Sequence, residues 1–162
     1  MNRFPFFSYP LVGLLLLSFT FAQGQHSKGM TEAGIQSILS EVAAESEHEP
    51  GMSTIYFGER WILILTNEEL NRIRILTPIQ ERTTIGADEM ERMLIANFST
   101  ALDAKYSFYD QYVVSTYSHP MGSLSEAQLV DALEQVVMLA RTFGTTYSSA
   151  VIADAEASMN KP

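Results

Sequence analysis

The chain predicts an α+β domain: an antiparallel sheet packed by helices, in the order helix, three-stranded meander, helix, β-hairpin, helix. Three observations point there. Apolar residues recur at helical spacing in three separate stretches. Two blocks rich in β-branched and aromatic residues lie between those stretches. The connections inside each block are too short for anything except antiparallel pairing.

The first helix is expected over residues 31–47, where Ile35, Ile38, Leu39 and Val42 share one face, and Pro50-Gly51 stop it. Strands follow at 54–57, through Gly58 to 60–66, and through the polar turn 67–71 to 72–78. The centre of the second strand, WILIL (61–65), is apolar without interruption, whereas Arg72 and Arg74 alternate with Ile73 and Ile75 and leave one face wet. Asp88 with Glu91 three residues later reads as a capping pair for a helix over 88–104, with Met90, Met93, Leu94, Phe98 and Ala101 on its inner face. A hairpin of 105–108 and 112–118 turns at Asp110-Gln111, a pair that suggests a loop longer than two residues because a tight turn prefers Asp-Gly. His119-Pro120 breaks the strand. Ser125 with Gln128 forms a capping box for a last helix reaching Phe143, with Gly144 as its stop and Leu129, Leu133, Val136, Val137 and Ala140 in its stripe.

Ahead of these elements stands a different kind of segment. Arg3, an apolar run over 11–21 and the small Ala22 have the order of a secretory signal peptide over residues 1–22, and the run is shorter than the roughly 20 apolar residues that span a bilayer. The expected organisation is therefore leader 1–22, polar lead 23–30, domain 31–147 and a flexible tail 148–162, with a periplasmic or secreted product and no membrane anchor after cleavage. The chain has no cysteine, so neither a lipid-anchoring thiol nor a disulfide is available, and packing alone must hold the domain. Removing the leader takes away one of ten basic residues and none of nineteen acidic ones, leaving a net charge of −10. That field opposes nucleic acid and anionic membrane surfaces as partners.

The element order, together with Asn97-Phe98, the run from Ala101 to Tyr106, the strand leading to His119-Pro120, and Leu124-Ser125 running into Leu129 and Ala132-Leu133, resembles the type III secretion chaperone-like domain and in particular its YbjN-type branch. The resemblance covers about residues 31–147. It implies a small antiparallel sheet packed by helices, frequent homodimers, and protein binding in place of catalysis. It carries no motif from which binding residues could be transferred. The leader is a departure, because true secretion chaperones work in the cytoplasm.

Catalytic and metal chemistry find little support. His48-Glu49 begins like the zinc motif HExxH, but Pro50, Gly51 and Met52 follow and the second ligand is missing. No nucleophile elbow is present, and Met121-Gly122-Ser123-Leu124-Ser125 lacks its glycines. A triad of distant residues would centre on His119 with Ser118, Ser123 or Ser125, although Ser125 has its own explanation as a cap. Glu45, Glu47 and Glu49 stand oddly at the end of the first predicted helix, where negative charge is unfavourable, and read as a solvated face. The acceptor triplet Asn97-Phe98-Ser99 falls mid-helix and reads as accidental. No catalytic residue, cofactor or metal is expected.

One positive signal remains. Apolar residues on the second helix span roughly 200° of arc, against the roughly 100° needed to cover one sheet face, with Ile95 and Leu102 as the surplus. In WILIL, Trp61, Leu63 and Leu65 point one way and Ile62 and Ile64 the other, so that either helices cover both sheet faces or a second chain covers one. The sequence thus points to an exported, non-enzymatic, protein-binding module, homodimeric, whose partner surface is Met90, Met93, Ile95, Phe98, Leu102 and Trp61. The alternatives are a small-ligand carrier with a pocket lined by Trp61, Tyr106, Phe108 and Tyr112, and a hydrolase built on His119.

Overall fold

The computed structural model describes residues 29–150; the leader, most of the polar lead and the segment from residue 151 onward lie outside the described residues. Its elements are α1 (Glu32–Val42), β1 (Glu45–Glu49), β2 (Met52–Phe57), β3 (Arg60–Asn67), β4 (Arg72–Glu81), α2 (Ala87–Ser99), β5 (Lys105–Tyr109), β6 (Tyr112–His119) and α3 (Glu126–Arg141), with single 3-10 turns at Arg82–Thr84 and Met121–Ser123. All six strands form one antiparallel sheet in the order β1-β2-β3-β4-β6-β5. The α+β class and the sheet packed by helices are as the sequence predicts; the meander has four strands instead of three.

The extra strand comes from the end of the first predicted helix. Thr31 caps α1 by accepting from Gly34 N, and Ala43 leaves the helix in extended conformation while its N–H still bonds Leu39 O. From Glu45 the pattern changes from a period of 3.6 to one of 2: Glu45, Glu47 and Glu49 are exposed, and Ser46 and His48 turn inward. His48 fixes that choice, with Nε2 2.9 Å from Ser40 Oγ on α1 and Nδ1 2.9 Å from Ser53 Oγ on β2. The three glutamates therefore do not oppose a helix dipole. They line an edge strand, where charge discourages sheet-to-sheet pairing.

The β2–β3 and β5–β6 turns are each two residues long. Gly58 and Glu59, at φ 55° and 61°, join Phe57 to its partner Arg60, which matches the twist of the flanking strands. At the β5–β6 turn Tyr109 faces Tyr112, so the longer loop expected there is not formed. Asp110 takes the positive φ of 52° itself, which its short polar side chain tolerates better than most.

The core lies between one face of the sheet and the helices. Ile55, Ile62, Ile64, Ile73, Ile75 and Val113 come from the sheet, Ile35 and Leu39 from α1, and Leu129, Leu133, Val136 and Leu139 from α3, all fully buried. The Ser125–Gln128 capping box forms as read from the sequence. Gln135 is a polar residue of α3 whose burial is explained by its partners. Its Oε1 accepts from Asp103 N and Ala104 N, fixing the approach to β5.

The second helix differs from its prediction at both ends. Gly86 is the N-cap and makes no side-chain capping bond, so Asp88 sits inside the first turn and acts only on the helix dipole. The helix ends at Ser99, not 104, because Lys105 Nζ donates to the carbonyls of Asn97, Ala101 and Leu102 and closes its C-terminal end. Beyond α3, Tyr147 packs edge-on against Tyr106 and Phe143. Ser148 and Ser149, read from the sequence as the start of a flexible tail, are held in place: Ser149 is fully buried and accepts from Leu102 N, and Ser148 Oγ donates to Thr100 O.

Candidate protein-binding surface

Helix α2 stands on β5 by a narrow line of contact. Met93 and Ala96 are its buried residues, and Asn97 beside them uses its amide like a short strand: Oδ1 accepts from Tyr106 N and Nδ2 donates to Tyr106 O. The side chain therefore satisfies the outward backbone groups of an edge residue, and its nitrogen is committed to that role. The glycosylation reading of Asn97-Phe98-Ser99 has no free amide to use.

Everything apolar elsewhere on α2 faces outward. Phe98 is 95% exposed, Leu94 65%, Ile95 58%, Leu102 just beyond the helix 55%, and Met90 39%. Met90, Leu94 and Phe98 follow one another at i, i+4 and i+8, forming a continuous ridge, with Ile95 and Leu102 along its flank. Two sequence assignments change here. Leu94 and Phe98 belong to the outer surface rather than the inner face, and Met93 belongs to the core and leaves the set of surface candidates. A shallow groove of about 250 Å³ separates this ridge from β5, with Met90, Leu94, Tyr106 and Phe108 on its walls. The Arg82 guanidinium lies 4.8 Å above the Phe108 ring at its outer end.

The sheet face turned away from the core is the second surface. Trp61 is 50% exposed there, its ring 5.3 Å from that of Tyr56, with Met52, Leu63 and Leu65 partly exposed around them. Ile62 and Ile64 on the opposite side are sealed by the helices. Sequence reasoning found Trp61 but missed Tyr56 and Met52, whose strand β2 pairs with β3 directly. Cross-strand register was the signal that would have supplied them.

The proposed ligand pocket does not assemble. Tyr106 is buried among the helices, where its hydroxyl donates to Leu139 O and burial pushes its pKa up to about 12. Trp61 projects from the other face of the sheet, and Phe108 and Tyr112 lie near the β5–β6 turn.

The histidines are brought to serines. His119 Nε2 lies 3.3 Å from Ser123 Oγ, and its Nδ1 lies 3.2 Å from the Tyr117 hydroxyl. Burial, with Asp103 and Asp131 nearby, raises the pKa of Tyr117 above the ordinary tyrosine range, so the hydroxyl stays neutral. Among the described residues no carboxylate hydrogen-bonds His119, so the group that orients the imidazole in a catalytic triad is replaced by a phenol. Ser118 turns to the opposite sheet face beside Arg74, and Ser125 is occupied as the cap of α3. No group of three or more metal-ligating side chains occurs among the described residues.

No protein-family model and no curated protein matches the chain. Solved structures do. A type III secretion chaperone of Yersinia pestis, SycH, in complex with a stable fragment of YscM2, has a TM-score of 0.51 at 17% identity over 68% of this chain and 99% of its own. The ExsC–ExsE complex matches with a TM-score of 0.52 at 16% identity, over 70% of this chain and 96% of that one. The HopA1–SchA chaperone–effector complex matches at 0.53 and 9%, over 67% and 88%. The fold is similar to that of type III secretion chaperones. At these identities the likeness establishes the fold alone.

Proposed function

We propose that this chain is a non-enzymatic, chaperone-like protein-binding module that works as a homodimer outside the cytoplasm, in the manner of an exported member of the YbjN-type branch. The observation carrying this reading is the ridge of α2. Burying a side chain such as Phe or Leu is worth about 1.5–3 kcal/mol, and here Phe98, Leu94, Ile95 and Leu102 forgo that gain on one contiguous surface. Apolar patches of that kind mark interaction sites. The structural neighbours support the reading from outside, since all three are described in complex with protein partners. The leader read over residues 1–22 supplies the location.

Light scattering on the chain starting at Gln23 tests it. A dimer is expected at micromolar concentration, and the double variant Leu94→Asp/Phe98→Asp is expected to be monomeric there, with the thermal midpoint that the wild type shows at dilutions where it too is monomeric, because in the single chain both side chains are already in water. A wild-type chain that stays monomeric at every accessible concentration contradicts the dimer.

A further inference from the structure

We infer that the sheet face opposite the core, over β1 to β4, is the seat for an amphipathic helix carrying lysine or arginine along one flank. The inference rests on the protein-binding reading above and names the chemistry of the partner. The strand register sets out the surface in rows. Glu45 stands beside Tyr56, which stands beside Trp61. Glu47 stands beside Thr54 and Leu63, and Glu49 beside Met52 and Leu65. Each row thus runs from a carboxylate on the edge strand to an apolar or aromatic side chain on β3, and the third continues to the exposed cation Arg74 on β4.

Three strand spacings of about 4.8 Å make this band about 14 Å wide, enough for one helix of about 10–12 Å diameter. Successive carboxylates along β1 recur every about 6.8 Å, close to the about 6 Å between residues i and i+4 of a helix laid along the strands. Among the described residues the glutamates form no salt bridge, and the only one present joins Arg141 to Glu59 on the helix side. Trp61 and Tyr56, with rings 5.3 Å apart at the end of the first row, add faces on which a guanidinium or ammonium can rest. Edge protection accounts for charge on β1, but not for the half-exposed tryptophan and the leucines beside it. A cationic, apolar partner answers to both.

Trp61 is the only tryptophan of the chain, so its emission reports the site directly. The probes are two synthetic helical peptides of equal length with the same leucine stripe, one with lysine and one with glutamate along the same flank. They are added to the full chain and to the chain starting at Gln23. The lysine peptide is expected to shift Trp61 emission to the blue and to bind more weakly as salt rises. The triple variant Glu45→Gln/Glu47→Gln/Glu49→Gln is expected to weaken it by about tenfold, the sum for three partly exposed ion pairs. Phe98→Asp is expected to leave this binding unchanged, which separates failure of the sheet site from failure of the α2 surface. If the glutamate peptide binds equally well, if salt has no effect on the wild type, or if neither peptide moves Trp61 emission, the inference is overturned. A triple variant that aggregates yet binds the lysine peptide as before assigns the glutamates to edge protection alone and overturns it too.

Discussion

Helices α2 and α3 are both amphipathic in sequence, yet they end in opposite situations. Helix α3 buries eight of its sixteen residues, including Leu129, Leu133, Val136 and Leu139, across the middle of the sheet. Helix α2 buries two of thirteen, Met93 and Ala96, and shows Leu94, Ile95 and Phe98 to solvent. An apolar stripe states that something must cover a helix; it does not state what. For α3 the cover is its own sheet. For α2 no described part of the chain covers the ridge, and the surplus reads as a surface for another molecule.

The sharpest way to break this contrast is truncation on each helix. Leu133→Ala on α3 removes a fully buried side chain and is expected to cost about 2–5 kcal/mol in chemical denaturation. Phe98→Ala on α2, measured at a dilution where the chain is monomeric, is expected to stay within about 0.5 kcal/mol of wild type. Similar losses at both positions would mean that α2 is covered within the monomer.

Alkaline pH probes the line where α2, β5 and α3 meet. Tyr106 holds its proton up to about 12 in the folded chain because it is buried, against about 10 in an unfolded one. The folded state then binds more protons than the unfolded state between these values, so this contribution is intact at neutral pH and is lost as pH rises from about 10 through about 12. Denaturation midpoints should fall across that window, and Tyr106→Phe should flatten the fall. A variant with the wild-type alkaline profile would count against a buried, neutral Tyr106.

The smallest expected difference concerns the caps. Ser125→Ala removes a complete capping box from α3 and should cost about 1 kcal/mol. Gly86→Ser places a capping oxygen where α2 has none, into open space, and should raise stability by a few tenths of a kcal/mol, roughly the difference between glycine and serine caps. Thermal midpoints of the two variants should move in opposite directions.

What was legible in the sequence follows the same division. The box at Ser125, the stripe of α3, the Gly58 turn and the alternation of β4 are local signals that tertiary packing reinforces. The β1 strand was not legible as one, because Glu45 to Glu49 has poor strand composition and follows a genuine helix; its inward residue, His48, is placed by hydroxyls on α1 and β2 that are distant in sequence. The inward line of α2 was misread for a related reason. Asn97 is polar and lies on it, serving the backbone of Tyr106, while Leu94 and Phe98 are apolar and lie off it. A rule that sends apolar residues inward inverts that helix. It still located the surplus, since Ile95, Leu102 and Trp61 are all half-exposed or more. The chemistry proposed for a partner was beyond reach until the register placed Glu45, Glu47 and Glu49 in rows with Tyr56, Met52 and the leucines of β3.

Hydroxyl-radical footprinting of the wild-type chain across a dilution series decides whether the α2 ridge is a binding surface, because it reads both helices in one sample. Leu133 and Leu129 should stay unlabelled throughout, while Phe98 and Leu94 should be labelled strongly when dilute and become protected as the chain associates. Phe98 protected at every dilution, or labelled equally at every concentration with no partner added, would contradict that reading.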